Sequence, residues 1–228
     1  MPRFPRRAPT PQLQWLPKWT TTICCVHEQF ALEIAELARP PHINEFPAIT
    51  GNGIWKASEL LGRWILSGGA GRLEHRRCVE MGAGLGLAGL AAACCGAHVL
   101  LTDLPANLPA LVENSRRNSR HVSAAGGTVA VAELDWGVVA AGGDSANKAT
   151  DMVSSVLGGA AEVILGADIS WSSGLCELLL APILALSVAN VREAGWRCTS
   201  PMRHAMVGEG KARHQKDLRH SQLTPLQD

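Results

Sequence analysis

Two stretches decide the fold: Val79–Gly89, which reads VEMGAGLGLAG, and Gly96–Pro105, which reads GAHVLLTDLP. The first begins in a short apolar strand, predicted at Arg77–Met81, and runs through a glycine-rich turn into an apolar helix, predicted at Leu87–Cys95. The second begins at Gly96, a natural end for that helix, and contains another apolar strand, His98–Thr102. A strand, a helix and a strand in this order predict a βαβ unit with two parallel strands.

The same alternation continues downstream. A charged helix is predicted at Asn107–Arg120, and further strands at Thr128–Leu134 and Glu162–Gly166. A long helix follows at Ser172–Ala189, whereas Ala140–Ala161, rich in Gly, Ala and Ser, is interpreted as a loop with one short helix. Strands separated by helical patterns predict an α/β fold with a doubly wound, mostly parallel sheet.

The two ends of the chain do not follow this alternation. Residues 1–26 are basic and rich in proline, which predicts a disordered tail. Apolar spacing predicts helices at His27–Ala38 and Ile54–Leu66. Residues 191–228 are polar and basic, without a clear strand pattern. We therefore expect one domain at residues 27–190 between a disordered N-terminal tail and a polar, basic C-terminal tail of uncertain structure. The sheet is expected either to lack its last strands or to have its far half replaced by an unrelated tail.

Composition limits the classes of function. The chain has 228 residues, of which 46% are hydrophobic, enough for one domain with a sizeable core. A formal net charge of +1 argues against a protein held to nucleic acid by bulk positive charge. The uncharged stretch Met81–Thr102 could span a membrane by length, but its five glycines and the lack of a basic flank favour a turn, a helix and a strand. We expect a monomer without membrane or nucleic-acid partners.

Cysteine usage indicates a reducing compartment. The chain has seven cysteines, an odd number that includes two adjacent pairs, Cys24-Cys25 and Cys94-Cys95. This pattern is unlike a disulfide framework, so we expect a cytoplasmic protein, with the nucleus as a further location. The basic N-terminus is also typical of organelle transit segments, but five prolines among the first 17 residues argue against an amphipathic helix there. Since no pair of CxxC motifs and no HExxH motif occurs, we predict no metal site.

Acidic residues end four consecutive strands of the predicted sheet. Glu80 and the turn at Gly82–Gly84 belong to the first strand, and Asp103, Asp135 and Asp168 follow the next three. Because ligands of open parallel sheets bind outside the carboxyl ends of the strands, these residues are expected to share one crevice. One such acid is commonly a solvated turn or a helix cap, whereas four in succession favour a binding site.

The glycine-rich turn allows two interpretations. Gly84–Gly89 formally matches the GxGxxG motif of dinucleotide-binding proteins, and Asp103 follows at the distance expected of a ribose-binding acid. In that motif the glycines open the turn, whereas this turn already opens at Gly82, so the later glycines fall partly within the helix. The spacing Glu80-x-Gly82-x-Gly84 instead suits a ligand that has no phosphate there and carries a cationic group. S-adenosylmethionine has such a sulfonium, together with a ribose and an amino acid portion.

The same two stretches resemble the seven-β-strand, or class I, S-adenosylmethionine-dependent methyltransferases. The resemblance is closer still to methyltransferase family 16, the group of protein-lysine methyltransferases. Three further blocks resemble this family: Gly53–Ala57 (GIWKA), Glu133–Gly137 (ELDWG) and Ile164–Trp171 (ILGADISW). The resemblance extends over residues 53–189. It implies a Rossmann-like fold, S-adenosylmethionine as the cofactor and transfer of a methyl group to a lysine of a protein substrate.

The resemblance also implies a cofactor site of eight residues: Trp55, Glu80, Gly82, Ala83, Gly84, Asp103, Trp136 and Ala167. The turn at residues 82–84 would line the methionine part of the cofactor, and Glu80 would hold that turn. Asp103 would accept hydrogen bonds from the ribose hydroxyls. Trp136 would border the adenine, and Trp55 would close over the cofactor.

Two residues are implied to be catalytic, Asp168 and Trp171. Asp168 would anchor the segment that carries the lysine or accept its proton, beside Ala167, where the methyl group leaves. Trp171 stands where the family has a tyrosine. An indole can still wall a lysine channel and contact a cation through its face, but it cannot accept a hydrogen bond as a phenol does.

Three other interpretations stay open. Trp171 and the missing strand pattern after residue 191 are compatible with a catalytically impaired or truncated methyltransferase-like protein that acts as a binding module. The offset GxGxxG match allows a nicotinamide-dependent oxidoreductase. The basic residues and histidines of residues 191–228 allow contact with RNA, although a solvated tail explains them more simply.

Overall fold

The computed structural model describes residues 19–24, 31–37, 51, 53–188, 194–198 and 205–210. Within these described residues the strands are β1 Trp19–Cys24, β2 Leu32–Leu37, β3 Arg77–Met81, β4 His98–Asp103, β5 Thr128–Glu133, β6 Val163–Ala167, β7 Ala194–Cys198 and β8 Ala205–Gly210. The helices are α1 Lys56–Leu66, α2 Leu87–Ala93, α3 Leu108–Ala124, α4 Trp136–Ala140, α5 Asp144–Leu157 and α6 Ser173–Val188.

The central sheet has the order β5-β4-β3-β6-β8-β7. Strands β3, β4, β5 and β6 are parallel, and β8 lies antiparallel between β6 and β7. The chain moves outward from β3 to β5 and then returns to the other side of β3 with β6, so the strand order reverses between β3 and β6. This arrangement confirms the predicted doubly wound, mostly parallel α/β fold and creates a crevice at the point of reversal.

Helices cover both faces of the sheet. Helices α1, α2 and α3 pack on one face, and α4, α5 and α6 pack together on the other. Every residue of α2 is buried, because this short apolar helix is enclosed by α1, α3 and the sheet. Strands β3 and β4 are buried on both faces, which explains why their sequences are apolar without alternation. The stretch Met81–Thr102 is therefore core structure, and none of the described helices combines the length and apolarity needed to cross a membrane.

The N-terminal segment differs from its prediction. The helix predicted at His27–Ala38 is wrong for Leu32–Leu37, which forms β2 and pairs antiparallel with β1 over six residue pairs. Strand β1 also lies inside the predicted tail at residues 1–26, of which residues 1–18 lie outside the described residues. Apolar spacing alone cannot reveal this antiparallel pair, termed the N-terminal hairpin, because its hydrogen bonds join segments that are separate in sequence.

The second half of the chain contains two features that were not predicted. The sheet extends beyond β6, since β8 adds five residue pairs to it and β7 pairs in turn with β8. These short strands lie within the predicted tail at residues 191–228, where their mixed polar sequences carry no recognisable alternation. The loop predicted at Ala140–Ala161 contains the 14-residue helix α5, which buries Ala149 and Val153 against the sheet.

Candidate active site

A cavity of about 720 Å³ lies outside the carboxyl ends of the parallel strands, at the point where the strand order reverses. Its size is within the usual range for a pocket that binds a small organic ligand. All ten residues predicted for the cofactor and catalytic sites line this cavity: Trp55, Glu80, Gly82, Ala83, Gly84, Asp103, Trp136, Ala167, Asp168 and Trp171. The fold thus brings together residues that span more than one hundred positions of sequence.

The glycine-rich turn presents bare backbone to the cavity. Gly82 and Gly84 have φ angles of 58° and 56°, in the left-handed region that other residues rarely adopt. A Cβ atom on Gly82 would lie 2.8 Å from Ile169 Cγ2 and 3.1 Å from the indole of Trp136. Helix α2 begins only after the turn, at Leu87, so the last glycine of the GxGxxG match lies inside the helix, as predicted. This geometry disfavours the dinucleotide interpretation.

Glu80 lies beneath the turn and is only 1% exposed. Its Oε2 accepts a hydrogen bond of 2.8 Å from the backbone N–H of Gly89, in the first turn of α2. Burial raises the pKa of Glu80 to about 8, the Gly89 N–H lowers it in part, and the nearby charge of Asp103 raises it further. The carboxyl group therefore joins the end of β3 to the start of α2.

Asp103 ends β4 and anchors the opposite wall of the cavity. Its Oδ2 accepts a hydrogen bond of 2.7 Å from the Gly84 N–H, and its Oδ1 accepts bonds from the Leu104 N–H (2.7 Å) and from Asn107 Nδ2 (2.8 Å). The side chain is thus fixed against the glycine-rich turn, and Asp103 lines the cavity. Because carboxylate oxygens accept hydrogen bonds and donate none, this position suits a ligand with hydroxyl groups.

The residues that follow β5 and β6 are a helix cap, Asp135, and a strained residue, Asp168. Asp135 caps α4, where its Oδ1 accepts hydrogen bonds from the N–H groups of Gly137 (2.8 Å) and Val138 (3.3 Å). Asp168 follows β6 with a φ of 60°, an uncommon conformation for a residue with a side chain. Such strain is often retained at functional positions, and Asp168 lines the cavity.

Apolar side chains surround the mouth of the cavity. Trp55, Leu104, Trp171 and Leu178 all line it, and their side chains are 46%, 49%, 59% and 38% exposed, respectively. Large apolar side chains that converge on one opening are typical of a site that binds an organic ligand or an apolar segment of a partner.

The ionisable side chains in the cavity lining are all acidic. Asp103, Asp135 and Asp168 line the cavity together with the buried Glu80, whose raised pKa favours its neutral form near pH 7, and the described lining includes no Lys, Arg or His. A positively charged ligand is therefore favoured over a phosphate. S-adenosylmethionine fits this site, because its sulfonium and amino groups are cationic, its ribose offers hydroxyl groups and the bare turn leaves room for its amino acid portion.

Several residues of the lining were not predicted from the sequence, among them Gly51, Asn107 and Ile169. Asn107 bonds Asp103, while a Cβ atom on Gly51 would lie 2.3 Å from the Asn107 amide, so the two residues pack in direct contact. The position of Asn107, four residues after Asp103 at the start of a predicted helix, is a signal that could have identified it. No neighbouring residue in the sequence indicates that Gly51 belongs to the site, because only the fold brings it next to the glycine-rich turn.

Three curated relatives share part of their sequence with this chain. The histone-arginine methyltransferase METTL23 of Xenopus laevis is 43% identical over 29% of this chain and 27% of its own length. The protein N-lysine methyltransferase METTL21A of Danio rerio is 31% identical over 59% of this chain and 54% of its own length. The EEF1A lysine methyltransferase 3 of Mus musculus is 31% identical over 47% and 39%, respectively. The chain thus spans about half, or less, of the length of each relative.

One solved structure with a similar fold is the magnesium protoporphyrin IX methyltransferase from Synechocystis PCC 6803 with bound SAH. It is 15% identical, covers 68% of this chain and 81% of its own, and has a TM-score of 0.31. The family model described as lysine methyltransferase matches residues 44–192, which is more than half of the chain and includes the entire cavity lining. The chain therefore belongs to the lysine methyltransferase family, methyltransferase family 16.

Proposed function

We propose that this protein is an S-adenosylmethionine-dependent protein-lysine N-methyltransferase, with its active site in the cavity at the carboxyl ends of the strands. The observation that carries the proposal is the lining of that cavity, which is exclusively acidic among its charged residues and contains all ten predicted site residues. The family match over residues 44–192 supports the same activity.

The cofactor, when bound, supplies a methyl group on a positively charged sulfur. A lysine nitrogen of the protein substrate would take up this methyl group and give up one proton, which leaves S-adenosylhomocysteine. The residues of this chain align the amine with the methyl carbon, which accounts for much of the rate enhancement in such displacements. Asp168 holds the amine and takes up its proton, and Trp171 forms the wall of the lysine channel at the mouth.

Asp103 and the turn at residues 82–84 hold the cofactor in this scheme. Asp103 accepts bonds from the ribose hydroxyls, and the bare backbone of Gly82 and Gly84 admits the methionine portion. Trp136, packed against Gly82, borders the adenine, and Trp55 covers the site from the mouth. Ala167, at the end of β6, leaves space beside the transferred methyl group.

The proposed setting is the cytoplasm, with the nucleus as a further location, and the proposed partner is a protein that presents a lysine side chain. Cys78, Cys94, Cys95 and Cys176 are free thiols, which suits a reducing compartment. The near-zero net charge supports a protein that does not use nucleic acid as its partner. We propose a monomer as the active form.

The experiment combines titration with S-adenosylhomocysteine and transfer of a radiolabelled methyl group from S-adenosylmethionine to cell-extract proteins. The variant is Asp168→Asn, because asparagine tolerates the left-handed backbone of this position but carries no charge. We expect wild type to bind S-adenosylhomocysteine and label lysine, and the variant to bind it while losing transfer.

Other outcomes would refute parts of the proposal. Binding without transfer to any protein would indicate a methyltransferase-like binding module. Label found on arginine would change the acceptor to the one named for the similar METTL23. Failure of wild type to bind S-adenosylhomocysteine would reject the cofactor assignment.

A further inference from the structure

The N-terminal hairpin is attached to α3 through two buried asparagines, Asn114 and Asn118, both 0% exposed. Each side chain bonds the backbone of one residue of β2. Asn118 Oδ1 accepts from the Glu33 N–H (3.0 Å), and its Nδ2 donates to the Glu33 carbonyl (2.8 Å). Asn114 Oδ1 accepts from the Ala35 N–H (2.7 Å), and its Nδ2 donates to the Ala35 carbonyl (3.3 Å).

The two asparagines differ in their remaining bond. Asn114 Nδ2 also donates to the carbonyl of Leu85, at 3.0 Å, which lies in the glycine-rich turn and lines the cavity. Asn118 Nδ2 instead donates to the backbone carbonyl of Asn114, at 2.8 Å, within α3. Only Asn114 therefore connects the hairpin to the turn, while Asn118 provides the same attachment without that connection.

A second contact joins the hairpin to the cover of the cavity. Glu36 Oε1, at the end of β2, accepts a hydrogen bond of 3.0 Å from the Ile54 N–H. Ile54 and its neighbours Gly53 and Trp55 line the cavity mouth. Thr22 of β1 donates a hydrogen bond to the other carboxylate oxygen of Glu36, so both strands fix this side chain.

We propose that the N-terminal hairpin positions the two walls of the cofactor cavity, with Asn114 as the positioning residue for the glycine-rich turn and Glu36 as the positioning residue for the segment that carries Trp55. This inference rests on the proposed cofactor. The hairpin lies in a separate two-stranded sheet and none of the residues of its strands lines the cavity, whereas these two contacts reach residues that do, Leu85 and Ile54. Without the N-terminal hairpin, the glycine-rich turn and the segment that carries Trp55 would each lose a hydrogen bond that holds them in place.

The first test compares Asn114→Ala with Asn118→Ala by calorimetric titration with S-adenosylhomocysteine and by thermal unfolding. Both variants remove a buried amide that bonds β2, so similar losses of melting temperature are expected. Asn114→Ala is expected to weaken binding roughly tenfold, the scale of one lost hydrogen bond, whereas Asn118→Ala stays within about twofold of wild type. Hydrogen exchange of the Gly86 amide should accelerate only in Asn114→Ala. Equal affinities in the two variants would overturn the role of Asn114.

The second test uses the half-buried Glu36, whose replacement is less damaging to folding. Glu36→Ala is expected to weaken S-adenosylhomocysteine binding roughly fivefold. Glu36→Gln is expected to restore it, because the amide oxygen still accepts from Ile54 and the Thr22 hydroxyl can accept from the amide nitrogen. If wild type binds and Glu36→Ala binds equally well, the hairpin does not position the cover. If wild type itself does not bind, the proposed cofactor fails instead.

Discussion

Replacing Asp103 with asparagine, a nearly isosteric change, is expected to damage both folding and cofactor binding. Both carboxylate oxygens accept a backbone N–H: Oδ2 from Gly84 and Oδ1 from Leu104, which shares Oδ1 with Asn107. Asparagine has only one acceptor oxygen, so its NH₂ group must face one of the two backbone donors in either orientation. Asp103 is 8% exposed, and water has little access to relieve that conflict.

The magnitude follows from this geometry. A buried donor left without an acceptor costs about 1–3 kcal/mol. At about 2 kcal/mol, the melting temperature of a chain of this size falls by roughly 4–8 °C. Loss of the charged acceptor for the ribose hydroxyls removes a further 1.5–3 kcal/mol or so from binding, which is roughly a 10-fold to 150-fold weaker affinity.

The assay is thermal unfolding together with S-adenosylhomocysteine titration, and Asp135→Asn is the matched control for folding. A single oxygen of Asp135 accepts both of its backbone hydrogen bonds, so asparagine can keep them, and asparagine is an equally good helix cap. We expect the melting temperature of Asp135→Asn to stay within about 2 °C of wild type. The reasoning is refuted if Asp103→Asn melts and binds like wild type, or if Asp135→Asn is destabilised to the same extent.

Three further substitutions test other parts of the cavity. Burial raises the pKa of Glu80 from 4.5 to about 8, so the folded state binds the carboxyl proton more tightly than the unfolded state does. The free energy of unfolding therefore falls as the pH rises between these two values. The unfolding free energy of wild type relative to Glu80→Gln should therefore fall by up to about 1.4 kcal/mol per pH unit in this window, and a flat difference in denaturant titrations would contradict it. Asp168→Ala should lose about 1 kcal/mol more stability than Asp168→Asn, since only asparagine tolerates a φ of 60°; equal midpoints in urea would argue against strain. Gly82→Ala should melt several degrees below wild type and bind S-adenosylhomocysteine poorly, because its methyl group would press on Ile169 and the Trp136 indole; an unchanged melting curve would show that these side chains move aside without cost.

The parallel core of the sheet was predictable because its signals are local. Each of β3, β4, β5 and β6 is a short apolar run next to a helical pattern, and observed bounds differ from predicted ones by one residue at most. The shared location of the acidic residues at the strand ends was equally predictable, because the carboxyl ends of parallel strands must meet at one edge of the sheet. This rule explains why the predicted site residues at or just after the ends of β3, β4, β5 and β6 line one cavity.

The hairpin and the last two strands were not predictable in this way. Strand β2 contains apolar residues at positions that also suit a helix, and its partners, β1, Asn114 and Asn118, include residues about 80 positions away. Strands β7 and β8 have five and six residues, and they are defined as strands by the pairing of β8 with β6 and of β7 with β8. In each case, tertiary hydrogen bonds decide the conformation, and local propensity does not.

By itself, the sequence determined the class of fold, the edge of the sheet that binds ligand and the acidic character of the site, because strand order and residue type suffice for these properties. Only the tertiary structure decided that Asn107 and Gly84 both bond the Asp103 carboxylate and that Gly51 packs against the Asn107 side-chain amide. It also decided that Asn114 joins the N-terminal hairpin to the glycine-rich turn. These contacts depend on distances of about 3 Å between segments distant in sequence. Such distances are set by the packing of side chains in the folded protein, and the sequence alone does not predict this packing for individual residues.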